Sequence, residues 1–486
     1  MLFNSYEYIF AFLPVAFLVY FYLNARRLGE AAKGFLVFAS LFFYSWWNPD
    51  YLPLILLSML FNYVLGSSLA RGRHRESPSR LGLLWVGIAA NLALLGYYKY
   101  SDFFIAGTNQ AFGSNLELLH LALPLAISFF TFQQIAYLVD SYRRETHEYD
   151  FLNYALFVTF FPQLIAGPIV HHKEMMPQFA RARNKLLNYR NIAGGLFIFS
   201  LGLFKKVVIA DYFATIATPG FDQSTTLSFF EAWATSLSYT FQLYFDFSGY
   251  TDMAVGASLL FNIHLPINFN SPYKATNIQD FWRRWHITLS RFLRDYIYIP
   301  LGGNRRGEFS THRNLMITFF LGGLWHGAGW TFICWGALHG AALVMYRAWQ
   351  HLGWRLNTFL AWFITFNFIN VTWVFFRARE WSDVGKVLYG MVGGNGIVLS
   401  ERLARKAGVF QEMAFKYPDN FAPMLFDSTT YLMLALALYA VVKLRNSQEQ
   451  LAKFKPGFRM FFVLCALTIY TLFDMSKVSE FLYFNF

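Results

Sequence analysis

The stretch Leu321–Trp330, "LGGLWHGAGW", lies inside a run without Lys, Arg, Asp or Glu that extends from Leu315 to Tyr346. A helix of about 20 residues crosses a bilayer core, so this run is too long for one typical span. The glycines on both sides of His326 lower helix stability and let another backbone approach closely. We therefore predict two helices that break near Gly327–Trp330 and place His326 at the break.

The composition of the whole chain indicates a membrane protein. Of its 486 residues, 56% are hydrophobic and 14% are charged, whereas about 25% of the residues in a soluble domain are charged. Further apolar stretches approach the spanning length of about 20 residues, namely Ile9–Leu23, Gly34–Trp47, Tyr51–Leu69, Leu81–Tyr98 and Met460–Leu472. We predict a single all-α polytopic domain over residues 1–486, with about ten to thirteen helical segments. The two cysteines, Cys334 and Cys465, support neither a disulfide framework nor a zinc site, and no metal is expected.

The net charge of +12 comes from basic residues that cluster in the short gaps between apolar stretches. Examples are "ARRLGEAAK", "RGRHRESPSR", "SYRR", "FKK" and "NRRG". Because cytoplasmic loops of membrane proteins are rich in Lys and Arg, we expect a multi-pass protein of the inner (cytoplasmic) membrane and no nucleic-acid partner. An added role stays open, in which these charges attract an anionic cytoplasmic substrate such as a coenzyme phosphate.

The same charge rule orients the chain across the membrane. The N-terminus, "WWNPDY" and Tyr98–Glu117 are expected outside, although Lys99 is an exception within the last of these. Arg26-Arg27, Arg71–Arg80 and Ser141–Asp150 are expected inside, and the terminal "FLYFNF" outside.

This alternation fails at Phe151–Val170, because basic residues follow it and both of its ends look cytoplasmic. The segment also contains Pro162 and Pro168. A re-entrant element satisfies both observations, and irregular backbone at membrane depth must be surrounded by protein or line a water-filled cavity. We therefore expect a cavity in the middle of the chain.

Polar groups interrupt the apolar sequence "QLYFDFSGYTDMAVG", Gln242–Gly256. Ionisable residues at membrane depth usually face a bundle interior or an aqueous path, which applies to Asp246 and Asp252. One interpretation is that Asp246 pairs with a neighbouring Arg or caps a helix broken at Ser248-Gly249. The other is that Asp246 and Ser248 line a substrate tunnel.

The segment Asn277–Gly307, "NIQDFWRRWHITLSRFLRDYIYIPLGGNRRG", combines four arginines of one predicted helix with a broad aromatic face. A single helix would align Asp280 with Arg284, and Arg291 with Asp295, at the favourable spacing of four residues. Such a helix is too charged to span a bilayer and suits an interfacial, partly buried position on the cytoplasmic side. His286 lies within it, with either a structural or a functional role.

His326 has two interpretations from the residues alone. A neutral imidazole can accept or deliver a proton at physiological pH, with Trp325 and Trp330 excluding water. Alternatively, His326 bonds a carbonyl at the helix break and is structural. The residues therefore indicate a membrane enzyme or a transporter with a His-bearing cavity.

The motifs "FWRRWHITLSRFLRDYIYIPLGGNRRG" and "LGGLWHGAGWTFICWGALHG" together resemble the membrane-bound O-acyltransferase family. "YSWWNPDYL", "GYYKYSDFF", "LPLAISFFTFQQIAYLVDSYR", "FPQLIAGPIV", "QLYFDFSGYTDMAVG", "NFNSPY" and "FLYFNF" extend the resemblance over nearly the whole chain. It implies a ring of helices around a central tunnel, with the active site midway through the membrane. It also implies that His326, in "LWHG", is the catalytic histidine and that His286, in "WRRWH", is a second functional one.

The resemblance further implies an acetyltransferase that takes acetyl groups from a cytoplasmic thioester, acetyl-CoA, and passes them outward. Its alginate-type members suggest O-acetylation of an exopolysaccharide, with alginate as the expected acceptor and an extracytoplasmic acetyltransferase as the partner protein. Cellulose, peptidoglycan or D-alanylation of teichoic acid are alternatives within the family, and a non-enzymatic transporter is an alternative outside it. The residues expected to line the tunnel are Asp246, Ser248, Arg283, Trp285, Gly323, Trp325 and Trp330.

Acyl transfer to an alcohol needs a base for the hydroxyl and stabilisation of an oxyanion. His326 is expected to be the base, or else to carry the acetyl group itself. His286, an Arg of the same helix, or the N–H groups near Gly322-Gly323 are the candidates for oxyanion stabilisation.

Overall fold

The computed structural model describes residues 1–71, 78–146, 150–397, 428–475 and 482, in which helices and loops occur but no strand. The α-helices in chain order are α1 Leu13–Ala25, α2 Gly29–Ser45, α3 Leu52–Arg71, α4 Pro78–Phe112, α5 Ile127–Tyr142, α6 Phe151–Thr159, α7 Phe161–Leu164, α8 His172–Ala180, α9 Tyr189–Phe204, α10 Asp211–Asp222, α11 Phe229–Leu260, α12 Ile278–Trp282, α13 Ile287–Leu293, α14 Gly307–His326, α15 Trp330–Leu352, α16 Thr358–Arg377, α17 Trp381–Met391, α18 Ser428–Lys443, α19 Ser447–Lys453 and α20 Phe458–Asp474. Wider π-helical turns occupy Glu7–Phe12, Lys205–Ala210 and Arg294–Tyr298, and 3₁₀ turns occupy Pro49–Tyr51, Ala182–Lys185 and Pro272–Lys274.

Five helical stretches within these described ranges are long and apolar enough to cross a membrane. They are Glu7–Ala25, Pro49–Arg71, Pro78–Phe112, Tyr189–Asp222 and Thr358–Arg377. Large apolar side chains on their outer faces are exposed, as lipid contact requires and as water would penalise. The prediction of an all-α polytopic membrane protein is confirmed.

The central element is α11, in which every residue from Ser238 to Leu260 is buried. Its N-terminus is closed by a reciprocal capping box between Ser228 and Glu231. Against α9 it packs backbone to backbone, since a Cβ at Gly249 would lie 2.7 Å from the carbonyl oxygen of Gly202. The helix therefore continues through Ser248-Gly249, so the interpretation in which Asp246 caps a helix broken there does not hold: the glycine allows close helix packing.

The segment Phe151–Val170 forms two short helices, α6 and α7, followed by irregular backbone. Neither helix is long enough to cross a bilayer, which needs about 20 residues. From Tyr154 to Val170 the segment is buried throughout. This arrangement agrees with the predicted re-entrant element.

Side-chain contacts between distant loops agree with the predicted sidedness. Arg80 donates to the carbonyl oxygen of Tyr142 at 2.9 Å, so two segments predicted to be cytoplasmic meet. At the other end, Tyr51 donates to the carbonyl oxygen of Ala122 at 2.8 Å, next to the predicted external loops. Residues 72–77 and 147–149 of the basic loops, and all of "FLYFNF" except Leu482, lie outside the described residues.

Candidate active site

His326 is the last residue of α14, and α15 begins four positions later at Trp330. Between them, Gly327 and Gly329 are extended, with φ of −160° and −162°. A Cβ at Gly327 would lie 2.2 Å from the ring of Phe332, so any other residue there would displace that ring. The two-helix prediction, with His326 at the break, is confirmed.

The C-terminal turn of α14 is capped by side chains of α4. Lys99 Nζ donates to the carbonyl oxygens of Trp325 at 2.6 Å and His326 at 3.1 Å. Tyr100 donates its hydroxyl to the carbonyl oxygen of Leu324 at 2.6 Å. The last carbonyls of a helix have no partner within it, and a cation there also offsets the helix dipole. The solitary basic residue in "GYYKYSDFF" was the sequence signal for this cap, which our sequence interpretation missed.

Aromatic rings enclose the imidazole of His326, which is 3% exposed. Their centroids lie 4.8 Å away at Trp325 and 5.1 Å away at both Trp335 and Phe376. Trp325 thus covers one side of the imidazole. Trp330 does not, because it is 60% exposed and packs on Phe103; its predicted shielding role is wrong.

His286 interrupts the predicted long helix over Asn277–Gly307. It lies between α12 and α13 with φ 42° and ψ 55°, a left-handed conformation that is uncommon outside glycine and is found at constrained sites. The predicted pair of Asp280 with Arg284 is present at 2.9 Å. Arg291 instead binds Glu174 at 2.7 Å, and the π-helical turn that begins at Arg294 alters the spacing between Arg291 and Asp295.

The ring of His286 is completely buried and approaches the surroundings of His326. It meets Phe247 edge to face at 4.8 Å and lies 6.5 Å from Trp325, which itself contacts His326. His326 also lies within electrostatic range of His286, Lys99 and His339. The two histidines that the sequence singled out, forty positions apart, therefore belong to one buried site.

A cluster of tryptophans connects the two helix breaks. Trp285 stacks on Phe281 with centroids 5.7 Å apart and lies 5.0 Å from Trp373. Trp373 in turn stacks on Trp335, which contacts His326. Trp285 thus belongs to the wall of the site, whereas Arg283 is exposed at the end of α12.

Asp246 lies in a buried ion pair with Lys206. Its carboxylate is 2.6 Å from Lys206 Nζ and accepts the backbone N–H of Leu482 at 3.1 Å. The pairing expected for this carboxylate therefore exists, but with a lysine of the π-helical turn and not with an arginine. Asp252 forms the parallel pair with Lys205 at 2.7 Å.

Ser248 and Gly323 both lie where helices pack against each other. The Ser248 hydroxyl is buried and makes no hydrogen bond to the described residues. A Cβ at Gly323 would lie 2.4 Å from the carbonyl oxygen of Phe332, so this glycine allows α14 and α15 to touch. Because it lies inside α14, its N–H belongs to the helix. The structure therefore gives no support to Gly323 as an oxyanion donor.

His339, the second "HG" of the motif, supports the tryptophan cluster. Its Nδ1 accepts the indole N–H of Trp282 at 3.1 Å, since indole nitrogen can only donate. The proton of the neutral ring is then on Nε2, which faces Thr372 Oγ1 at 3.1 Å. Both ring nitrogens of His339 have partners, which gives it a positioning role.

Two cavities approach this cluster from the two ends of α15. The larger, of about 870 Å³, is lined by Ile278 and Ala342 beside the His339 layer and by Arg355 at its rim. The smaller, of about 310 Å³, is lined by Lys99 and Gly327 beside His326. Among the described residues, no three His, Cys, Asp or Glu side chains are grouped as metal ligands.

Comparison with known proteins identifies relatives over the full length. The profile of the MBOAT, membrane-bound O-acyltransferase, family matches residues 83–378. A peptidoglycan O-acetyltransferase from Helicobacter pylori is 52% identical over 100% of this chain and 98% of its own length. A protein named "Probable alginate O-acetylase AlgI" from Pseudomonas putida is 42% identical over 80% of each chain. A teichoic acid D-alanyltransferase from Streptococcus thermophilus is 30% identical over 46% of this chain and 57% of its own.

Proposed function

The chain belongs to the membrane-bound O-acyltransferase family, and we propose that it moves acetyl groups from cytoplasmic acetyl-CoA to a carbohydrate polymer outside the inner membrane. One observation carries this proposal. The rings of His286 and His326 both lie beside Trp325, at 6.5 Å and 4.8 Å, in a buried aromatic cluster with a cavity at each end of it. A transporter would need the path but would not need two buried histidines at helix breaks.

The chemistry begins with a proton transfer. His326 takes the proton of the acceptor hydroxyl while the hydroxyl oxygen forms a bond to the acetyl carbonyl carbon. The resulting oxyanion collapses, the carbon–sulfur bond of acetyl-CoA breaks, and the leaving thiolate takes the proton from His326. The aromatic cage excludes water, which would otherwise hydrolyse the thioester. In the alternative path, an imidazole nitrogen of His326 bonds to the acetyl carbon, the carbon–sulfur bond breaks, and coenzyme A leaves as a thiolate. The acceptor oxygen then bonds to the acetyl carbon, the carbon–nitrogen bond breaks, and the imidazole keeps the hydroxyl proton until it passes to the thiolate.

In this proposal, each of the two cavities binds one of the two substrates. The larger one has Arg355 at its rim, on the side that the basic loops indicate as cytoplasmic, and suits the anionic donor. The smaller one is lined by Tyr98 and Leu121, on the side predicted to be external, and suits the acetyl acceptor.

Peptidoglycan is the acceptor that we propose first. The support is the relative with that activity, since its identity is higher and covers the whole chain. Alginate, the acceptor expected from sequence motifs, is the second candidate, supported by the 42% identical alginate O-acetylase. The teichoic acid enzyme covers less than half of this chain and gives weaker support to D-alanylation.

A separate extracytoplasmic acetyltransferase is proposed as the protein that receives the acetyl group. A loop beside the smaller cavity exposes Leu116, Leu118 and Leu119, with exposed fractions of 54%, 38% and 46%. Apolar side chains exposed at the mouth of a cavity suit such a docking protein.

The test uses inside-out membrane vesicles, in which the cytoplasmic face is outside. Given labelled acetyl-CoA, wild-type vesicles are expected to place label in luminal carbohydrate, and His326→Ala is expected to lose at least about 10²-fold of this rate, because a positioned base supplies roughly 10²–10⁴. Digestion with a muramidase or an alginate lyase then identifies the labelled polymer. Transfer at the wild-type rate by His326→Ala, at equal membrane abundance, would refute the proposed mechanism.

A further inference from the structure

Asn268 lies between α11 and α12, and its side-chain oxygen contacts three polar groups at or near His286. It accepts the backbone N–H of Thr288 at 3.2 Å and the Thr288 hydroxyl at 2.9 Å, and it lies 3.1 Å from Nδ1 of His286. Asn268 is 1% exposed, and the residue is too enclosed for water to replace these contacts.

The orientation of this amide follows from obligatory donors. A backbone N–H can only donate, so the Asn268 atom that faces Thr288 must be the oxygen. The Thr288 hydroxyl accepts the N–H of Ile169 at 3.1 Å, which leaves its single hydrogen for Asn268. If the amide were rotated by 180°, its NH₂ group would face the N–H and the hydroxyl hydrogen of Thr288, and no hydrogen bond could form.

The proton of His286 is fixed by the same logic. Because an amide oxygen cannot donate, the nitrogen of His286 that faces it must carry the hydrogen. In a neutral imidazole the other nitrogen, Nε2, then has a lone pair and no hydrogen. The left-handed backbone of His286 and the bond from Ile287 N–H to the Asn268 carbonyl oxygen, 2.9 Å, hold the ring in this orientation.

We propose that Asn268 is a positioning residue that fixes His286 with hydrogen on Nδ1, so that Nε2 is a proton acceptor within the acyl-transfer site. This inference rests on the proposed function. The motif leaves open whether His286 accepts a proton or donates a hydrogen bond to the oxyanion. The proposed tautomer decides for the first role, because a neutral His286 with hydrogen on Nδ1 cannot donate Nε2–H to an oxyanion. The charge that develops on the acetyl oxygen must then be stabilised by another group.

The test compares Asn268→Asp and Asn268→Leu with Asn270→Leu in the vesicle assay. Asn270 lies two residues away on the same segment, is exposed and binds Asn446 at 3.0 Å, so Asn270→Leu controls for the loss of an asparagine from this segment outside the buried site. Asn268→Leu removes the acceptor and is expected to lower kcat by about 10²-fold while the KM for acetyl-CoA stays within about threefold. Asn268→Asp keeps an acceptor oxygen and is expected to restore most of kcat at alkaline pH.

The pH profile distinguishes this role from a merely structural one. Activity requires neutral His286, and a carboxylate at position 268 favours the imidazolium. The acidic limb of kcat/KM for Asn268→Asp should therefore move upward by about one pH unit or more. The other titratable groups in electrostatic range of the two-histidine site, Lys99 and His339, are unchanged in these variants.

An unmoved acidic limb in Asn268→Asp, or equal kcat in Asn268→Leu and Asn270→Leu, would overturn the inference. If the Asn268→Leu protein does not accumulate in the membrane, the pH profile of kcat/KM for Asn268→Asp still tests the inference. Failure of the proposed function would look different, because wild-type and His326→Ala vesicles would then transfer acetyl groups equally or not at all.

Discussion

Replacing Lys99 by methionine should loosen the end of α14 that presents His326. The side chain keeps its approximate length but loses the ammonium group, whose Nζ donates to the carbonyl oxygens of Trp325 and His326 and to the Ser128 hydroxyl at 3.3 Å. Two carbonyls at a buried helix end then lose their partner.

The magnitude follows from those two carbonyls. Hydrogen bonds to a charged group contribute about 1.5–3 kcal/mol each, and a cation at a helix C-terminus adds about 0.3–1 kcal/mol. The cost of burying the ammonium group offsets part of this sum, so we expect a net loss of about 2–4 kcal/mol of unfolding free energy. Displacement of His326 by about 1 Å is expected to lower acetyl transfer by about 10²-fold.

The assay pairs thermal unfolding in detergent with acetyl transfer in vesicles, and Lys173→Met is the matched control. Lys173 is 49% exposed and pairs with Glu145, and an exposed pair of this kind contributes about 0–1 kcal/mol. Lys99→Met should lose both stability and transfer, and Lys173→Met neither. A Lys99→Met protein as active and as stable as Lys173→Met would refute the idea that this cap holds the catalytic helix end.

Three further predictions test the fold and its orientation. Gly202→Ala should destabilise the protein by about 1–3 kcal/mol, because its Cβ would lie 2.5 Å from the carbonyl oxygen of Gly249. Gly82→Ala is the control and should not destabilise it, because no atom lies within 4 Å of the added Cβ. The melting temperatures of the two variants test this difference. Asp246→Asn should cost about 1–3 kcal/mol, because Lys206 loses one of its two carboxylate partners and keeps Asp211 at 3.1 Å, and unchanged denaturant unfolding would contradict this. A cysteine at position 307 should stay unlabelled by an impermeant thiol reagent in cells without an outer-membrane barrier, and one at position 484 should react; the opposite pattern would invert the proposed topology.

Local patterns made part of this molecule predictable. The charge-free run around His326 was too long for one helix and was rich in glycine, so its break could be placed to within a few residues. The prolines and flanking basic residues of Phe151–Val170 likewise indicated an element that does not cross. In both cases the residues that determine the local structure lie within the segment itself.

Helix continuity was harder to predict where packing overrides local signals. Ser248-Gly249 suggested a break, but α9 packs closely against Gly249 and α11 continues. Conversely, the spacing from Asp280 to Asp295 predicted one helix, and His286 interrupts it because Asn268 and Thr288 hold the ring and backbone in place. Neither outcome is encoded within the segment itself.

The site residues that the sequence missed share one property, which is that each acts through a distant partner. Lys99 binds carbonyls more than 200 positions away along the chain. Asn268 contacts the His286 ring through its amide oxygen from eighteen positions away, and asparagine has no titratable group that would mark it in the sequence. The two histidines of the proposed site were therefore recognisable from their motifs. The groups that fix their protons and orientations became visible only when the helices were brought together, and these are the groups whose substitution should separate positioning from chemistry.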